Sequence, residues 1–183
     1  MPYTVSAEGK AEVRKQVQDG NSTVELYVII YNPIVKKHPP FNNYNHWAFS
    51  MHHSRSKFWH SFEASPDKEK AWVASEFEGD PRHRYGGQKE PLIFLGSTHR
   101  DNWAFLQDKL VPVVPIGSPT KVNWTPQDYV TWIWHLMYQE NKIEKWICDL
   151  GFDNMLGHFG PILSLTKENR AENKRTTGPS RLR

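Results

Sequence analysis

The period of the hydrophobic and polar positions changes along the chain, and the changes divide it into elements. VELYVIIYNP at 24–33 is dense in β-branched and aromatic residues and stops at Asn32-Pro33, which predicts a strand followed by a turn. KKHPPFNNYN at 36–45 is polar and carries two prolines, a loop. HWAFSMHH (46–53) and KFWHSFEA (57–64) predict the two strands of a hairpin joined through Ser54-Arg55-Ser56, and KAWVASEFE at 70–78 a third antiparallel strand. GDPRHRYGGQKEP at 79–91 reads as a long loop, and LIFLGSTH at 92–99 as another strand.

Beyond residue 100 the period lengthens. DNWAFLQDKL (101–110) predicts a short helix capped by Asp101. From 126 to about 141, Tyr129, Val130, Ile133, Trp134 and Met137 recur at helical spacing. On that helix Trp132 falls at the edge of the apolar face and His135 at the surface. KIEKWICDL (142–150) predicts a further helix ending at Gly151 as its C-cap, and 154–165 fits either a strand or an irregular segment. The sum is an α+β fold: an antiparallel β-sheet with a few helices packed on it.

Composition and charge refine this picture at the ends of the chain. With 183 residues, eight Trp, seven Tyr and nine Phe, residues 1–166 suffice for a single α+β domain with a large core or an aromatic-walled pocket. The stretch 167–183 holds six Lys or Arg (Lys167, Arg170, Lys174, Arg175, Arg181, Arg183) against Glu168 and Glu172, so the formal +3 of the chain belongs to this basic segment. Its polarity predicts a disordered tail. No aromatic residue interleaves with its charges to stack on bases, so nucleic acid is not an expected partner. Cys148 is the sole cysteine, which excludes an intrachain disulfide and a CxxC zinc module. There is no leader-like apolar run and no stretch of ~18 apolar residues, so a cytoplasmic protein without membrane attachment is expected. No motif specifies an oligomeric state.

Candidate chemistry starts with the four histidines of HWAFSMHHSRSKFWHSF. His52 and His53 are adjacent, point to opposite faces of a strand, and adjoin the turn, where exposure is expected. His46 and His60 lie fourteen apart, so a hairpin whose turn centres on a single residue places them on one face. Three readings compete for that pair. A metal site needs a third ligand, which neither an i, i+4 partner nor a neighbouring acid supplies, so no metal or other cofactor is expected. Half-buried strand histidines need only hydrogen-bond partners. An acid–base pair uses imidazoles that titrate near neutral pH. The loop DPRHRYGG, with Arg82, His83 and Arg84, reads as a solvated loop or as a lid that binds an acidic ligand.

The second stretch with chemical content is WTPQDYV at 124–130. Thr125 suits an N-cap, Pro126 position N1, and Asp128 at N3 completes a capping box. A helix start of this kind is also where papain-like enzymes hold a nucleophilic cysteine, because the helix dipole favours the thiolate. His46-Trp47-Ala48, then His60, then a helix opening on Gln127-Asp128-Tyr129-Val130 together resemble the lecithin:retinol acyltransferase-like and NlpC-type proteins, including small fungal proteins with N-C-Q-D-Y-V at the helix. The resemblance covers about residues 24–145 and implies a circularly permuted papain-like fold.

One residue departs from that pattern. Pro126 stands where the cysteine belongs, and proline has neither a nucleophile nor an amide N–H for an oxyanion hole. Cys148, among Trp146, Ile147 and Leu150, is expected to be buried and inert. Cysteine-based peptidase or acyl-transfer chemistry is therefore not expected. What the resemblance leaves is a cleft with His46, His60 and Asp128 as candidate catalytic residues, and Trp47, Trp59, Trp124, Gln127 and Tyr129 as candidate substrate contacts. The expected partner is a small organic molecule, isomerised, dehydrated or cyclised without a covalent intermediate, as in fungal secondary metabolism. The alternatives are a pseudoenzyme that holds a ligand or protein in the old cleft, and an interaction domain unrelated to that family.

Overall fold

The computed structural model describes residues 23–32, 44–67, 71–88, 91–117 and 124–159. Five strands, β1 (Thr23–Tyr31), β2 (His46–His53), β3 (Phe58–Pro66), β4 (Trp72–Glu78) and β5 (Ile93–His99), form one antiparallel sheet in the order β4-β3-β2-β1-β5. Helix α1 (Asn102–Phe105) runs into a π-helical turn, Leu106–Leu110, and then a 3-10 turn, Val111–Val113. Helices α2 (Pro126–Gln139) and α3 (Lys145–Leu156) follow. The α+β class expected from the pattern is the class observed. The expected loop at 36–45 lies almost entirely outside the described residues, as do 160–165 and the tail 167–183.

Alternation along the strands sends Val24, Leu26, Val28 and Ile30 of β1 and Trp47, Phe49 and Met51 of β2 to one face, all fully buried. Helix α2 lies across β2 and β3 on this face, burying Val130, Ile133, Trp134 and Met137, and α3 covers β5. Each such side chain contributes about 1.5–3 kcal/mol relative to its exposed state. The opposite face carries a smaller apolar cluster of Ile29, Tyr31, Ala48 and Phe77. On β5 the register slips by one residue, Leu26 facing Gly96 and Tyr27 facing Phe94. Gly96 has a φ of 148°, and a Cβ there would collide with Ile147 of α3, so glycine lets the helix reach the sheet.

Four local expectations need correction. Asp101 does not cap α1: its own backbone is already helical (φ −63°, ψ −19°), and Trp103 N–H bonds back to the Arg100 carbonyl. Gly151 does not end α3, which continues to Leu156 with Gly157 at its C-cap; Gly151 sits in mid-helix under the Trp134 ring. The segment from 154 therefore begins as helix. His52 and His53 are not exposed turn residues, because β2 runs through both; His52 is half-buried and His53 fully buried.

Candidate functional site

The β2–β3 turn decides how the histidines are distributed. Four residues, 54–57, separate the strands, with Lys57 in the left-handed region at φ 55°. His60 consequently pairs with Met51, and Ala48 with Glu63. Adding Lys57 to the three-residue turn expected from Ser54-Arg55-Ser56 shifts the pairing by one residue, and a one-residue shift moves every side chain of a strand to the other face. His46 and His60 therefore lie on opposite faces of the sheet. The expectation that they form a facing pair is overturned.

Each histidine instead has its own glutamate. On the face away from the helices, His46 Nε2–H donates to Glu63 Oε2 at 2.9 Å, and both side chains are essentially without exposure. Glu63 Oε1 also accepts from Arg84 at 2.9 Å, from the Tyr85 hydroxyl and from Ser75 Oγ. Burial alone raises the pKa of this carboxyl, but the His46 hydrogen bond and charge, the Tyr85 hydroxyl and Arg84 outweigh it, so Glu63 titrates below its ordinary range. The segment Pro81–Gly86 delivers Arg84 and Tyr85, held by an Asp80–Arg82 ion pair and by the Tyr31 hydroxyl donating to the Pro81 carbonyl. Arg84 lies over the Phe77 ring at 3.8 Å, and the Tyr31 and Tyr85 rings flank His46. Of the loop's two expected roles, neither describes Arg84: it closes over a buried carboxylate on the back of the sheet. Both Glu63 oxygens are engaged, whereas Arg84 Nε is buried without a partner among the described residues.

The helix face is built differently. His60, fully buried, donates from Nε2 to Glu76 Oε2 at 3.1 Å across the β3–β4 pair. Its ring is stacked on Trp103 (centroids 5.8 Å apart, planes 21° apart) and packed beside Phe62 at 4.5 Å. Glu76 then borders a cavity of about 180 Å³, open to solvent, with Phe62, Gln107, Val111, Val114, Ile116 and Tyr129 among its walls. Gln107 and Tyr129 are 4% and 0% exposed, and both amide atoms of Gln107 and the Tyr129 hydroxyl have no hydrogen-bond partner among the described residues. A buried polar group left without a partner costs about 1–3 kcal/mol, and native proteins contain few of them. Burial pushes the Tyr129 phenol above its ordinary pKa, and the negative charge of Glu76 and Glu63 raises it further.

The remaining candidate residues divide. Tyr129 lines the cavity, whereas Gln127 and Trp124 are buried outside its lining. Asp128 serves the helix start: its Oδ2 accepts from the Thr125 amide at 2.8 Å and the Thr125 hydroxyl at 3.0 Å. Trp47 is core, packed on Phe159 at 4.9 Å, and Trp59 lies on the far face, stacked on His52 at 4.1 Å. Cys148 is buried, its carbonyl accepting from the Trp134 indole, and burial raises its thiol pKa.

Glu76, Gln107 and Glu63 were missed from the sequence. Glu63 had a signal, a lone acid inside the apolar run FWHSFEA. Glu76 had none, because in SEFE the two glutamates alternate with Phe77 and read as a solvent-facing edge. Gln107 depends on the π-turn. Among the described residues no three His, Cys, Asp or Glu side chains converge as a metal set, and no helix is long and apolar enough to cross a membrane. Comparison of the chain with family models, curated proteins and solved structures returned no match.

Proposed function

We propose that the cavity beside β4 is the site of non-covalent acid–base chemistry on a small organic molecule, with the Glu76 carboxylate as the proton-transfer group. One observation carries this reading: a histidine-backed carboxylate shares the cavity with polar groups that have no hydrogen-bond partner among the described residues. His60 is a positioning residue. It fixes the carboxylate through Oε2 and is itself clamped by Trp103. Phe62, Val111, Val114 and Ile116 give the substrate apolar contacts beside Glu76, and Tyr129 and Gln107 hold it by hydrogen bonds. The reaction class is an isomerisation, dehydration or cyclisation initiated by proton removal.

The permuted papain-like ancestry belongs to the same proposal. Helix α2, opening at Pro126, lies across β2 and β3, and His60 is the imidazole on its side of the sheet. A ligand-binding module without turnover is the second reading, favoured by the same unpartnered groups, since they serve binding alone equally well.

1,2-Benzisoxazole separates the two. Removal of its ring C–H proton by a carboxylate breaks the N–O bond and yields 2-hydroxybenzonitrile, with no covalent intermediate and no cofactor. The wild-type protein should open it faster than acetate at equal concentration. Glu76→Gln should lower the rate by about 10²-fold or more, and His60→Phe should lower it and alter its pH profile while the fold is retained. Binding without turnover supports the module. A rate unchanged in Glu76→Gln removes the enzyme reading.

A further inference from the structure

Resting on the cavity proposed as the functional site, we infer that its ligand is a neutral, six-membered cyclic amide, recognised edge-on by Gln107. A primary amide side chain offers an N–H donor and a carbonyl acceptor side by side. Both are unpartnered among the described residues, on a residue 4% exposed in the cavity wall. The group that satisfies both at once presents the reverse pair on one edge. An open-chain secondary amide cannot, because its trans geometry points N–H and C=O in opposite directions. A ring forces the amide cis and brings the two onto one edge.

Charge and size narrow the class. A carboxylic acid offers a similar edge, but at neutral pH it is an anion beside Glu76, and no Lys or Arg occurs among the described lining residues. The volume, about 180 Å³, matches a single ring with a small substituent, since cavities of roughly 150 Å³ accept benzene. Phe62, Val111, Val114 and Ile116 supply apolar contacts for the ring, and the Tyr129 hydroxyl remains for a substituent. Gln107 reaches the wall from the π-helical turn Leu106–Leu110, a distortion that recurs at functional sites.

The test uses the full chain with 2-pyridone, N-methyl-2-pyridone and benzoate, followed by amide NMR shifts and calorimetry. 2-Pyridone should saturate with a Kd on the order of 0.1–1 mM, given its few atoms. N-methyl-2-pyridone, which lacks the donor, should bind at least tenfold more weakly, and benzoate should not bind. Gln107→Leu and Gln107→Glu should each lose 2-pyridone by tenfold or more while keeping a cooperative melt. Equal binding of the two pyridones, or retained binding in both folded variants, overturns the inference. So does absence of 2-pyridone binding. If benzisoxazole is still turned over in that case, the amide assignment alone falls; if it is not, the acid–base reading falls with it.

Discussion

Gly151→Ala is the substitution for which helix propensity and tertiary packing predict opposite signs. Within a helix, alanine is favoured over glycine by about 1 kcal/mol, and Gly151 lies in the middle of α3. A Cβ on Gly151 would stand 2.6 Å from Trp134 Nε1 and closer still to ring carbons. Trp134 is fully buried, and its indole N–H donates to the Cys148 carbonyl at 3.0 Å. Overpacking costs about 1–3 kcal/mol, and displacing the indole from its acceptor adds ~1–3 kcal/mol. Less the propensity gain, the variant should lose roughly 1–5 kcal/mol, or about 2–20 °C in Tm for a chain of this size. Urea unfolding and thermal melts followed by tryptophan fluorescence measure it. Trp134→Phe should recover part of the loss when combined with Gly151→Ala, giving a non-additive cycle. A Gly151→Ala protein as stable as wild type, or more so, would refute the packing argument.

Two further predictions concern charge and buried polarity. Because the folded pKa of Glu63 is depressed, its network contributes stability above the ordinary carboxyl pKa of about 4.3 and loses it as pH falls through the folded value. Glu63→Gln, which strands Arg84 and His46, should cost about 3–5 kcal/mol at pH 7 and flatten the acid limb of a stability–pH curve; an unchanged acid limb would exclude this carboxyl as its source. Tyr129→Phe removes a hydroxyl without a described partner, so ligand-free stability should hold or rise by about 1 kcal/mol, and a clear fall in Tm would mean that the hydroxyl has a structural role.

Much of the architecture was legible because it follows from local rules. Residue alternation and β-branched runs located all five strands, the helical period of Tyr129 to Met137 located α2, and Thr125-Pro126 marked where it begins. The candidate site was legible only in part. Tyr129 and His60 were singled out, but His60 was assigned the wrong partner, and Glu76 and Gln107 were passed over.

The reason lies in what each level of structure specifies. Local pattern determined that this chain makes an antiparallel sheet with helices on it, that its lone cysteine is buried, and that no cysteine stands at the start of α2. It did not determine register. Whether Lys57 belonged to a strand or to the turn was a one-residue question, and the left-handed φ of 55° that the turn requires is uncommon for lysine, so local propensity did not point to it. Packing settled it by bringing Phe62 and Met51 to the helix face and Glu63 to Arg84, and that choice carried His46 and His60 to opposite sides. Each imidazole then took the glutamate that the neighbouring strand, or its own hairpin, placed within reach, and of these two pairs the one under α2 opens onto the cavity.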